Sequence, residues 1–287
     1  MRTFSVLCAI SLLAWGIVAA PLAALAQDHS EETVITGAGA HFAWVVFEAL
    51  RPDMERVTGR KFKLHGLNSS LGLGCNAGIK LALKNAPGQE TFGFVCCPLD
   101  EAEIEQKALV VHPIALEPIM IVVNEDNPVR DLSLEQVRAI FRGEITNWKE
   151  VGGKDQAIVV VTRLHCKKRP GHWKLILPDP GAFRPERLNA SSAAEMEQQV
   201  SAFPGAIGHI GSTWDFDHQS RVRAISIDGA APTAENLRNH RYPFYRRLAA
   251  VTSRSASPDV IRAIEEVQKG PALRKIAEKY ELVPLVQ

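Results

Sequence analysis

Four cysteines, Cys75, Cys96, Cys97 and Cys166, are the residues of this chain best suited to soft-ion chemistry. Thiolates select soft ions, and neutral imidazoles such as His41, His165 and His172 can complete a coordination shell. A trivalent metalloid such as arsenite, or a soft metal such as copper, fits donors of this kind. No C-x-x-C or H-x-x-x-H spacing marks a zinc site. The same cysteines also read as structural disulfides: four cysteines allow three complete pairings, and adjacent Cys96-Cys97 allows a vicinal bridge. A cysteine beside a histidine is also the pattern of a nucleophile. That reading, a thiol-dependent enzyme, lacks any accompanying redox or thiol-protease motif.

Hard-ligand chemistry is present as well. Gly37-Ala-Gly-Ala40 precedes a helical stretch at Phe42–Leu50, and Gly72-Leu-Gly74-Cys75-Asn76 precedes another at Ala77–Leu83. A glycine-rich turn entering a helix exposes N–H groups at its positive end, which suits an anion. Arg163 offers a bidentate charged contact, and Lys167, Lys168 and Arg169 follow it closely.

Short apolar strands alternating with amphipathic helices position these residues, a pattern that predicts an α/β protein with parallel sheet. Strands are expected at Thr33–Thr36, Thr91–Val95, Pro118–Val123, Ala157–Thr162, Ile207–Ile210 and Leu248–Thr252. Ser133 with Gln136, and Ser192 with Glu195, predict capping boxes. The first opens a helix whose Val137, Ile140 and Phe141 face inward. Val260, Ile261, Ile264 and Val267 predict a late helix ending near Gly270. His65, His112 and His240 read as surface or hinge residues, and Met120 and Met196 as core fillers.

The 287 residues are 46% hydrophobic and 23% charged, which excludes a disordered, collagenous or coiled-coil chain. Met1-Arg2 is a short basic start, residues 4–26 carry no charge, and Ala24-Leu25-Ala26 is a small-x-small cleavage pattern. Residues 1–26 are therefore predicted to be a signal peptide cleaved after Ala26, placing the mature chain in the periplasm. Cleavage takes away one of 33 basic residues and none of 32 acidic ones, leaving a chain neutral in formal charge. No basic field argues for nucleic acid.

The chain resembles the phosphate-binding proteins of bacterial ABC transporters. The resemblance rests on Glu117-Pro-Ile-Met-Ile-Val-Val-Asn124, on Leu132–Trp148 with its Phe141-Arg-Gly-Glu-Ile-Thr-Asn-Trp148 segment, and on Val151-Gly-Gly153. Ile158–Arg163, Pro204–Ile210, Pro232–Leu237 with Tyr242-Pro243, and Ile35–Ala40 extend it across the mature chain. It implies a two-lobe periplasmic-binding-protein fold of type II, with a hinge and an interlobe cleft. Lobe 1 would be 33–117 completed by 247–287, and lobe 2 would be 118–246. The crossing segments are expected near Glu117–Val123 and Arg247–Thr252. The implied function is capture of a phosphate-like inorganic oxyanion. The implied partners are an ABC transporter permease or a sensor kinase, and the chain is expected to be a monomer. Neither a catalytic residue nor a cofactor is implied.

By the same resemblance Gly39, Ala40, His41, Ser69, Ser70 and Arg163 fall in the ligand loops. The family's side chains are changed there. His41 stands where a serine is expected, Phe94-Val-Cys96-Cys97-Pro98 where an aspartate is expected, and Leu164-His-Cys166 where Ser-Gly-Thr is expected. All four cysteines that remain after removal of the predicted signal peptide with its Cys8, together with His41, His165 and His172, thus lie in or beside ligand loops. This placement supports the alternative reading, a thiophilic ion held by Cys75, Cys96, Cys97 and Cys166 with His165 and His172 and presented to a sensor or transporter.

Overall fold

In the computed structural model, which describes residues 34–68, 74–166, 169 and 171–286, strands and helices alternate along the chain. The first part holds β1 (Ile35–Gly39), α1 (His41–Ala49), α2 (Arg51–Thr58), β2 (Phe62–His65), α3 (Gly74–Ala82), β3 (Thr91–Val95), α4 (Glu101–Gln106) and β4 (Leu109–Asn124). The middle holds β5 (Asp131–Leu132), α5 (Leu134–Arg142), β6 (Val159–Thr162), β7 (Leu188–Asn189), α6 (Ala193–Ala202), β8 (Ala206–Gly211), β9 (Val222–Ala224), β10 (Ser226–Ile227) and α7 (Ala234–Arg238). The chain returns through β11 (Tyr245–Ser253), α8 (Pro258–Lys269), α9 (Ala272–Tyr280) and β12 (Val283–Pro284). The predicted signal peptide, Ser69, Ser70, Gly72, Lys167 and Lys168 lie outside the described residues.

The main sheet runs β2-β1-β3-β11-β4-β8-β6-β7. Its two ends are parallel, as expected: β1 with β2 and β3, and β6 with β7 and β8. Its middle is not. β11 runs antiparallel to β3 and β4, and β4 runs antiparallel to β8. The two segments expected to cross are strands β4 and β11 lying side by side, both longer than the stretches expected from sequence; β4 pairs with β11 along its first part and with β8 and β9 along its last.

One buried cluster gathers Phe47, Phe92, Phe94, Ile114, Val251 and Ile264, and extends to Met196, Val200 and Trp214. A second gathers Ile121, Phe141, Trp148, Trp173 and Tyr242 around α5 and β8. Met196 fills core as expected, and Met120 packs against it. Ser133 caps α5 with a complete box: its hydroxyl accepts from the Gln136 N–H, and Gln136 returns the bond to the Ser133 N–H. Val137, Ile140 and Phe141 then face the core. The second expected box is half made. Ser192 accepts from the Glu195 N–H, but the Glu195 carboxylate turns to the N–H and hydroxyl of Ser191, which offer it two donors. α8 ends at Lys269 before Gly270, as expected.

The first strand starts and ends later than expected, and Gly37 and Gly39 lie within it instead of forming a turn. Close packing explains both glycines. A Cβ on Gly39 would sit 1.8 Å from the Phe94 carbonyl oxygen, and one on Gly37 would sit 2.7 Å from Leu64 and Phe92. The strand expected from Ala157 begins at Val159, because Ala157 and Ile158 are held by Asn147 and Thr146 instead.

Candidate functional site

The ends of β1, β3 and β6 and the first turn of α3 bring the predicted chemistry together. Helix α3 begins at Gly74, earlier than expected, which places Cys75 in its first turn. Cys96 and Cys97 follow β3 directly, and Arg163, His165 and Cys166 follow β6. Cys75, Cys96 and Cys97 are 2%, 3% and 0% exposed. All four cysteines are unbridged. The Cys75 and Cys96 sulfurs lie 3.7 Å apart, and the Cys96 N–H donates to the Cys75 sulfur at 3.2 Å. Two groups have all their donor atoms within 4.8 Å of one another: Cys75 with Cys96 and Cys97, and Cys97 with His165 and Cys166.

Hydrogen bonds divide the thiol protons unevenly. Bonds from Cys75 and Cys97 pull Cys166 down to about 4. Bonds to Cys166, Cys75 and Cys96, together with burial, push Cys97 well above the usual thiol range. Cys166 has φ 51°, a left-handed conformation costly for a side chain of this type. Arg169 is held in place: its Nε donates to Glu103 Oε2 at 2.7 Å, and the same guanidinium bonds Asn76. Glu103, paired with Arg169 and Lys107, is held down to about 2.

The three predicted histidines part company. His165 stays with the thiols: Nδ1 lies 3.1 Å from the Arg163 carbonyl and Nε2 lies 3.4 Å from the Cys97 sulfur. His172 makes its hydrogen bonds away from the thiols, with both nitrogens engaged. Arg246 Nη1 donates to His172 Nδ1 at 2.9 Å, and His172 Nε2 lies 2.9 Å from His209 Nδ1. His41 packs against Trp44 and Trp214 and accepts the Asn68 N–H on Nδ1 at 3.0 Å. It borders a cavity of about 820 Å³ whose lining includes Glu48, Glu197, Asp215 and Lys279.

Burial keeps these imidazoles neutral. It lowers His41 to about 4 against the pull of Glu117 and Asp215. It lowers His209 to about 3, helped by His165 and Arg163. His165 and His172 are also lowered, first by burial.

Ala40 caps α1, but its N–H donates to the Phe94 carbonyl at 3.2 Å. The N–H groups of the helix's first turn, from His41 onward, are thus the ones its N-terminus presents. Gly39 serves the strand packing described above. Arg163 is 7% exposed, and its Nε donates to the Ser191 carbonyl at 3.3 Å.

Four buried residues, Arg246, Glu117, Thr213 and His209, which with Arg163 and His172 make the floor of the site, escape sequence reasoning. Arg246, 5% exposed, pairs with Glu117, 0% exposed, and Thr213 donates from both backbone and hydroxyl to the same carboxylate. Arg246 Nη2 has no partner among the described residues. His209 lies in Ala206–Gly211, a strand buried at every position, where a polar residue is itself a signal. His65 and His240 are exposed, as expected, and His112 bonds Thr252 across the two crossing strands.

The model of the PBP superfamily domain matches residues 26–267. The phosphate-binding protein PstS of Bacillus subtilis is 34% identical over 154 residues, 54% of this chain and 50% of that protein. PstS of Borreliella burgdorferi is 26% identical over 163 residues, 54% of this chain and 58% of that protein. The chain thus spans about half the length of the curated relatives it matches. Among solved structures, a substrate-binding protein assigned to a phosphate ABC transporter, from Clostridium perfringens and with bound phosphate, superposes with a TM-score of 0.73 at 26% identity. The match covers 88% of this chain and 99% of that one. An ABC-type phosphate transport receptor from Vibrio cholerae gives 0.64 at 27%, with the same coverage.

Proposed function

The chain belongs to the PBP superfamily, and from that premise we propose that it is an extracytoplasmic solute receptor of the phosphate-binding type. It captures a small inorganic solute, in the first instance a phosphate-like oxyanion, in a cleft between two lobes and hands it to an ABC permease. It binds and does not catalyse. Lobe 1 is 33–117 with 247–287, lobe 2 is 118–246, and β4 with β11 is the hinge. A sensor kinase in place of the permease, a monomeric state and cleavage after Ala26 belong to the same proposal. Among the described residues no helix is long and apolar enough to cross a membrane.

One observation carries the oxyanion part. Two guanidinium groups, Arg163 and Arg246, are buried in the floor, and Arg246 pairs with the buried carboxylate of Glu117. Buried guanidinium groups offer planar, charge-assisted donors that match an oxyanion bidentately. Titration calorimetry with orthophosphate, arsenate and sulfate tests the reading, with Arg163→Ala as the variant. Binding of one anion per chain and its loss in the variant are expected. Unchanged affinity in the variant removes Arg163 from the site, and absence of binding by all three anions rejects the oxyanion.

A further inference from the structure

The oxyanion reading leaves the thiols unused, and a thiol is a poor acceptor for phosphate. We propose that Cys75, Cys96 and Cys97, flanked by Cys166 and His165, form a site for a soft ion bound through three thiolates, either a trivalent metalloid or a monovalent coinage metal. The proposal rests on the receptor reading for how a solute reaches the floor, and on the donor set for its chemistry.

The spacing already suits an ion. Thiolates sharing one centre at metal–sulfur bonds of about 2.3 Å stand roughly 3.4 to 4.0 Å apart, from pyramidal to trigonal three-coordinate geometry. The Cys75 and Cys96 sulfurs are 3.7 Å apart. The supporting contacts are those of a ligand shell. The Cys96 N–H points at the Cys75 sulfur, as a donor to a thiolate would. With its Nδ1–H directed at the Arg163 carbonyl, His165 presents the Nε2 lone pair toward Cys97. Arg163 and Arg246 interact electrostatically with Cys96 and Cys97, placing positive charge beside the sulfur cluster. Burial of the three sulfurs excludes water and competing hard ligands.

The binding steps balance without a redox partner. Arsenous acid exchanges three hydroxyls for three thiolates: three As–O bonds break, three As–S bonds form, and the thiol protons leave with the hydroxyls as three waters. A cuprous ion displaces thiol protons to solvent and keeps its oxidation state.

The test uses the mature protein, reduced and handled without oxygen, titrated separately with sodium arsenite, cuprous ion and orthophosphate. Native mass spectrometry is expected to show one arsenic added with three hydrogens lost, or one copper, and the two arms separate the two sources. Cys96→Ser with Cys97→Ser is expected to weaken the soft ion by more than the 10–100-fold typical of a lost outer-shell partner. X-ray absorption of the loaded, unsubstituted protein is expected to show sulfur neighbours at about 2.3 Å, a readout independent of whether the variant folds. Oxygen or nitrogen neighbours only, or phosphate binding with no soft-ion binding, overturns the site while leaving the receptor reading intact. A folded protein that takes none of the three ligands overturns both.

Discussion

Arg246 and Glu117 face each other as register partners on the two crossing strands, with Arg246 Nε 2.5 Å from Glu117 Oε2. Both are almost wholly buried, and the guanidinium also stacks on Phe42 with its carbon 4.0 Å from the ring centre. Removing one partner strands the other charge. Arg246→Ala or Glu117→Gln is expected to cost about 3–5 kcal/mol, read as a lower denaturant midpoint. A loss below ~1 kcal/mol would mean that water reaches the pair.

Acid should weaken the fold through neutral histidines. His41, at about 4, and His209, at about 3, lie below the unfolded value of 6.5. Between these limits the unfolded chain binds more protons. Their contribution is therefore complete above pH 6.5 and is lost as pH falls toward the folded values, by up to ~1.4 kcal/mol per pH unit per histidine. Denaturant midpoints from pH 7.5 to 5 should fall, and His209→Gln should flatten the slope. A flat wild-type profile would contradict the neutral assignment.

Gly39 tests the packing explanation for the glycine-rich strand. A methyl group there meets the Phe94 carbonyl oxygen at 1.8 Å. Gly39→Ala is expected to destabilise by about 3 kcal/mol or more, as overpacking against backbone does. Gly229→Ala, in open space but at φ 73°, should cost only the ~1–2 kcal/mol of a left-handed conformation. Equal costs for the two would reject packing as the reason.

Glu103 holds the segment that carries Cys166 by way of Arg169. Its folded value of about 2 is set by Arg169 first. The stabilisation is present above the unfolded carboxylate value near 4.5 and is lost as pH falls through about 2. At neutral pH, Glu103→Gln should speed alkylation of Cys166 without altering that of Cys75. Peptide mapping after timed alkylation reads both, and an unchanged Cys166 rate would show that another contact holds it.

Local signals were legible where one segment decides its own structure. Ser133 and Gln136 specify their box within four residues, and Phe141 follows from helical spacing. The thiol cluster was legible only through the loop alignment that the family resemblance supplies, since Cys75, Cys96 and Cys166 are far apart along the chain. Gly37 and Gly39 misled, because a glycine needed for a tight turn and one needed for a close Phe94 neighbour look alike in sequence. The Arg246–Glu117 pair depends on strand register, which no local pattern reveals. By sequence His172 reads with the ligand loops while His209 draws no attention, and only the Arg246 and His209 contacts separate the role of His172 from that of His165.

The bonds from Arg169 to Glu103 and Asn76 tie the segment after β6 to the helices of the opposite half. If β6 separates from α3 and α4, as the two-lobe proposal requires for release, these bonds would have to give, and they would then act as a latch on departure more than on arrival. Being charge-assisted and near the surface, the latch is screened by salt. Residence time in the floor should shorten as ionic strength rises even where equilibrium contacts to the solute are uncharged, making the dissociation rate a property of the medium as well as of the ligand.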